Sequence, residues 1–215
     1  MAIFNTVYGG EYHLPWTYQK VEYIQSSWTQ YIDTWYLPSL HPKIDITLSY
    51  IWWWVSWEDW LPFLWRRYYS WWQGTYFAFF VKKASPYYIS PNRWWFDPWT
   101  WSGVTISKNT KYHLVDDQWE LYLDGVLKSS ASTTNTISSA NYSVYLFDLN
   151  EGWSRLNRNT QMRIYSCSFY NEWILERDFV PCYRKSDNVV WLYDLVNRKF
   201  YTNSWSWTFT KWSDV

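Results

Sequence analysis

Histidine chemistry needs a nucleophile or a metal close by, yet His13, His41 and His113 are scattered along the chain without metal-ligand spacing. His113, in Lys111-Tyr112-His113-Leu114, reads as an ordinary strand residue. Glycoside hydrolysis needs two carboxyl groups converging on one bond. The nearest candidates are Glu58-Asp59 and Asp116-Asp117, and adjacent residues on a strand point to opposite faces. No Glu-x-Asp-x-x-Glu pattern occurs. Cys167 and Cys182 make neither a disulfide framework nor a metal site. In Tyr165-Ser166-Cys167-Ser168-Phe169 the thiol is expected to share a strand face with two aromatic rings, as a buried free cysteine does. In Asp148-Leu149-Asn150-Glu151, the oxygens of Asp148, Asn150 and Glu151 could ligate Ca²⁺. A solvated turn is the plainer reading of that loop, and no other cofactor is implied. The residue types point to a protein that is not an enzyme.

Binding is the chemistry that remains. Arg67-Tyr68-Tyr69, Tyr87-Tyr88 and Asn92-Arg93 bring aromatic faces and polar groups into a region of variable loops, and tyrosine and arginine are enriched where binding energy concentrates. Many of these tyrosines would serve equally well as sheet packing. Nucleic acid is not an expected partner, because 19 Lys and Arg balance 19 Asp and Glu and no basic stripe appears. Membrane insertion is not expected either, since no run approaches the roughly 18 apolar residues of a span. Met1-Ala2-Ile3-Phe4-Asn5-Thr6 lacks the charged and apolar regions of a secretory signal.

The elements that must position these residues are strands. Apolar-polar alternation, clearest in Lys43-Ile44-Asp45-Ile46-Thr47-Leu48 and Met162-Arg163-Ile164-Tyr165, recurs between clusters of turn residues. Expected strands are 21–25, 31–34, 43–50, 61–64, 76–82, 87–90, 104–107, 111–116, 120–123, 126–129, 142–148, 161–170, 174–180, 189–193, 200–202 and 208–210. Asp124-Gly125 marks the tip of a hairpin with a type I′ turn. No segment of ten or more residues carries helical periodicity, although short helical turns near Ser154–Asn157 fit the sequence. The Ser/Thr/Asn stretch 129–139 reads as an exposed loop. The expected fold is all-β, an antiparallel two-sheet jelly-roll β-sandwich over residues 14–215. Residues 1–13 read as an N-terminal arm.

One compositional fact conflicts with such a fold. The chain has 22 Trp and 6 Gly, where average usage would give roughly 15 glycines and β-turns demand more. The tryptophans occur as Trp52-Trp53-Trp54, Trp71-Trp72, Trp94-Trp95 and Ser204-Trp205-Ser206-Trp207, beside Asn, Ser, Asp and Pro. They read as occupants of glycine positions, as would result if the source reads UGA as glycine; a genuinely Trp-rich carbohydrate-binding surface is the alternative. A side chain forced into a left-handed position costs about 1–2 kcal/mol. A dozen such sites would consume the 5–15 kcal/mol, roughly, by which domains are stable.

Three stretches carry a family resemblance. Leu14-Pro15-Trp16-Thr17-Tyr18-Gln19-Lys20-Val21-Glu22-Tyr23-Ile24-Gln25-Ser26-Ser27-Trp28-Thr29-Gln30-Tyr31-Ile32-Asp33-Thr34-Trp35 is the first, and the Leu121-Tyr122-Leu123-Asp124-Gly125 hairpin is the second. The third runs from Arg177-Asp178-Phe179-Val180-Pro181-Cys182-Tyr183-Arg184-Lys185-Ser186-Asp187 through Val190–Asp194 to Lys199-Phe200-Tyr201-Thr202-Asn203. In that order they resemble the opening, middle and close of concanavalin A-like (LamG-like jelly-roll) domains of phage structural and bacterial surface proteins. The family pattern has glycine at Trp28, Trp35, Trp191, Trp205 and Trp207, and also fits glycine at Trp65, Trp153, Trp173 and Trp212. Trp57, Trp60 and Trp119 have no such assignment. The resemblance implies a non-catalytic glycan- or receptor-binding module on a phage tail appendage or other exposed structure. A structural virion or surface assembly protein, or a bacterial surface adhesin domain, are the alternatives. Implied partners are a surface glycan or protein receptor, other virion or tail proteins and a second copy of the chain, at a virion or extracellular surface.

Overall fold

The computed structural model describes residues 13–27, 30–38, 41–52, 60–69, 74–82, 87–92, 104–117, 120–130, 142–151, 154–155, 161–204 and 208–215. Among them are nineteen strands and no helix. The first part of the chain holds β1 (Tyr18–Lys20), β2 (Ile24–Gln25), β3 (Ile32–Asp33), β4 (Pro42–Trp52), β5 (Trp60–Tyr69), β6 (Gly74–Lys82) and β7 (Tyr87–Asn92). Next come β8 (Val104–Ile106), β9 (Lys111–Asp116), β10 (Glu120–Leu123), β11 (Val126–Ser130), β12 (Tyr145–Leu146), β13 (Leu149–Glu151) and β14 (Ser154–Arg155). Last are β15 (Gln161–Asn171), β16 (Ile174–Arg184), β17 (Val190–Asp194), β18 (Lys199–Tyr201) and β19 (Thr210–Lys211).

The larger sheet runs β11-β10-β9-β4-β15-β16-β17-β18, with β1 on β16 and β2 bridging β15 to β19. The smaller runs β14-β13-β5-β6-β7-β8, with β12 pairing both β5 and β3. Pairing is antiparallel except between β13 and β5. The exception follows from a chain reversal at Phe147-Asp148: β12 runs against β5, so the segment after the turn runs with it. Alternation decides which face each strand buries. On β4, Ile44, Ile46, Leu48 and Tyr50 point inward, while Lys43, Asp45 and Thr47 are half-buried outside. They join Met162, Ile164, Cys167 and Phe169 of β15, together with Ile32, Val81, Val104, Ile106 and Leu146 of the other sheet, in one core cluster. Two sheets closing on one core make a β-sandwich. Along its floor Tyr36 stacks on Phe169 at 4.7 Å, Phe169 meets Phe179 edge-on at 6.2 Å, and Phe179 meets Tyr201 at 5.0 Å.

Three local expectations need correction. Ser154–Arg155 is a strand antiparallel to β13, not a helical turn; 156–157 lie outside the described residues. The expected strand 142–148 shrinks to Tyr145–Leu146, because the chain must turn at 147–148. Cys167 shares its buried face with Phe169 but not with Tyr165: a register shift between Ile164 and Ser166 makes Tyr165 a bulged residue and inverts the alternation. The Tyr165 ring instead meets Tyr23 at 5.2 Å and lies under Lys111. Residues 1–12 of the arm 1–13 and most of the loop 129–139 lie outside the described residues, while Ser129 and Ser130 end β11.

Two hairpins turn in two residues with left-handed backbone at both. Asp124 (φ 51°) and Gly125 (φ 75°) join β10 to β11, and Glu172 (φ 49°) and Trp173 (φ 70°) join β15 to β16. This is the type I′ signature, whose twist suits antiparallel strands.

Candidate ligand cleft

A cleft of about 340 Å³ opens where the first and last parts of the domain meet. One wall is the turn after β3, with Asp33 and Trp35; the other is β18 and its exit, with Lys199, Thr202 and Ser204. Arg177 from β16 and the nearly buried Tyr201 reach it from below.

The walls are held from beneath by one guanidinium and one carboxylate. Arg177 Nε donates to the Thr34 carbonyl at 3.2 Å, and Nη2 donates to the Trp35 carbonyl at 2.9 Å. Asp33 Oδ1 accepts the Trp35 N–H at 2.9 Å, so the turn is fixed on both sides. Asp194, fully buried, lies 3.6 Å from Arg177 Nε. It accepts from the backbone N–H of Asp178 and of Val196, each at 3.0 Å, and from Asn197 Nδ2 at 2.7 Å. A buried carboxylate with this many donors is satisfied rather than reactive. Burial pushes the Tyr201 phenol up, with the Arg177 charge pulling the other way. The side chains of Lys199, Thr202 and Ser204 make no hydrogen bond to the described residues. The cleft thus offers a cation, a carboxylate edge and two hydroxyls, groups that donate and accept hydrogen bonds to a polyhydroxylated molecule.

A second, smaller hollow of about 110 Å³ is lined by His41, Lys43, Asp117 and Trp173. Asp117 Oδ1 accepts the Glu120 N–H at 2.8 Å, which uses it as a turn residue.

The residues singled out from sequence lie elsewhere. Arg67, Tyr68 and Tyr69 end β5 and pair with Tyr76, Thr75 and Gly74 at the start of β6. Tyr88 pairs with Lys82 at the far end of β6, with Tyr87 beside it on β7, and Asn92 pairs with Ala78 between. At the usual rise per residue the two tyrosine pairs are roughly 25 Å apart along β6. The sheet does not bring them together as one site. Arg93, like Glu58 and Asp59, lies outside the described residues. Asp148 and Asn150 are buried: Asp148 Oδ1 accepts the Leu149 N–H at 2.8 Å, and Asn150 Nδ2 donates to the Ser143 carbonyl at 2.8 Å. Glu151 follows on β13, whose pairing makes this stretch a strand rather than an open loop. Among the described residues no three acidic, histidine or cysteine side chains converge as a metal site. His113 sits on β9, where its Nε2 meets Asp45 Oδ1 at 2.7 Å. Asp116 is buried while Asp117 lines the small hollow, so the adjacent carboxylates diverge.

Sequence reasoning missed the cleft because its residues are dispersed between Asp33 and Ser204 in three separate stretches. A signal was present: most of the lining belongs to the opening and closing stretches of the resemblance, Asp33 and Trp35 in the first, Arg177 and Lys199–Thr202 in the last. No protein-family model matches the chain, and no curated protein matches it. No helix among the described residues is long and apolar enough to cross a membrane.

Proposed function

We propose that this chain is a non-catalytic, concanavalin A-like jelly-roll module that binds a surface glycan or a glycosylated receptor on behalf of a phage tail appendage or similar exposed structure. The observation that supports it is the polar cleft, whose Lys199, Thr202 and Ser204 side chains project from a scaffold fixed by Arg177 and Asp194. A polar cleft whose backbone wall is held by Arg177 suits recognition of hydroxyl groups. Among the described residues its walls hold no histidine or cysteine, and the buried Asp194 carboxylate beside Arg177 is occupied with backbone donors.

A glycan array followed by titration tests the reading. The parent protein should bind a subset of envelope glycans, and Lys199→Ala combined with Thr202→Val should weaken that binding at least tenfold while the melting temperature holds. Absence of any glycan binding by a protein that forms stable oligomers would favour assembly over recognition and defeat the proposal.

A further inference from the structure

We infer that the functional protein carries glycine at positions 35 and 173, and that the tryptophans written there arise from UGA codons which the source organism reads as glycine. The inference is independent of the ligand proposed above. It rests on backbone geometry at two positions, and on a comparison that the fold itself supplies.

Positive φ is tolerated by glycine and, less well, by asparagine and aspartate, because a Cβ crowds the backbone there. Asn109 (φ 58°), Asp124 (φ 51°), Asn188 (φ 57°) and Gly125 (φ 75°) meet this expectation. Phe147 (φ 70°) breaks it for a visible reason: its ring is fully buried and packs on Phe209 at 4.9 Å. Glu172 (φ 49°) and Arg198 (φ 56°) break it on exposed turns, and so do Trp35 (φ 50°) and Trp173 (φ 70°), which are 69% and 72% exposed. The sign of φ alone does not single out the tryptophans; the turn position of Trp173 and the bound backbone of Trp35 carry the assignment. A large side chain that is both strained and left in water gains nothing by being there.

The hairpins make the comparison direct. Both have two-residue turns with left-handed backbone throughout, and the second turn position is Gly125 in one and Trp173 in the other, with φ differing only between 75° and 70°. Glycine is the residue that such a turn selects at this place. At position 35 the turn cannot relax to negative φ without cost, since its N–H is bound by Asp33 and its carbonyl by Arg177. Trp191 and Trp212 are not among the residues with positive φ, so this argument does not extend to them. Trp28, Trp153, Trp205 and Trp207 lie outside the described residues.

The gene and the native protein both test the assignment. Codons 35 and 173 should be UGA, and tandem mass spectra of peptides from the source organism should read glycine at both positions. UGG codons, or native peptides reading tryptophan, would overturn it. A stability series gives a third arm. Trp173→Gly and Trp35→Gly should each melt about 2–4 °C above the matching alanine variant, because alanine removes the indole but keeps the strained Cβ. Alanine variants as stable as the glycine ones at both positions would likewise refute it.

Discussion

Cys167 and Cys182 are both buried and unpaired, and burial pushes the Cys182 thiol up to about 12 and Cys167 well above its ordinary range. Since the thiolate is the reactive species, an aromatic disulfide reagent at pH 8 should find neither thiol in the native protein and both after denaturation. Asp178 gives a pH signature. Burial raises its carboxyl above the usual value, against the Ser168 hydroxyl that donates to it at 2.9 Å and with Asp194 adding to the rise. The folded state then holds this proton to higher pH than the unfolded state does. Stability from this group is therefore present at acid pH and is lost as pH rises from the ordinary aspartate value of 3.8 through the raised one. Asp178→Asn should flatten that part of the stability curve, measured by urea melts between pH 3 and 7, roughly the span in which a raised carboxyl titrates.

At the scale of elements, the β17–β18 turn depends on Asp194. Removing its carboxylate strips partners from the N–H groups of Asp178 and Val196 and from Arg177. Asp194→Ala should cost about 3 kcal/mol in chemical denaturation, and Asp194→Asn less, because its amide oxygen can still accept. The strands elsewhere in the sheets show what is legible in the sequence. β9 and β10 match their expected bounds to the residue, and β4 and β15 within two, because Ile44-Asp45-Ile46-Thr47-Leu48 and its neighbours alternate over a half-buried face. β1, β13 and β14 were not legible: each is two or three residues long, and tertiary pairing rather than pattern makes it a strand. The bulge at Tyr165 was hidden for a related reason, since an inserted residue leaves composition unchanged while reversing the faces. The cleft was illegible in the same sense. Its residues mark the two ends of the family resemblance, but only the topology brings Asp33 to within one hollow of Lys199.

For the whole molecule, the fold is carried by one core that both sheets share. Phe169 stands at its centre, fully buried, between Tyr36 and Phe179. Phe169→Ala should lower unfolding stability by about 3–5 kcal/mol, and the loss should appear equally by circular dichroism and by fluorescence, because both sheets contribute to the core that holds it. Replacing Thr47 on the outer face of the same sheet by serine should change stability by no more than about 0.5 kcal/mol.

The stitching of the two ends has a mechanical consequence. β1 pairs with β16, Val21 bridges Asp214 antiparallel, and the Val215 N–H donates to the Lys20 carbonyl. Chain entering at residue 18 and chain leaving at 215 therefore lie side by side and point the same way. A pull that separates them would load these hydrogen bonds one after another, as a zipper opens, and not all together in shear. Under tension the domain would yield first at this seam, with the seam's partner strand β16, which also carries Arg177, next in the line of force.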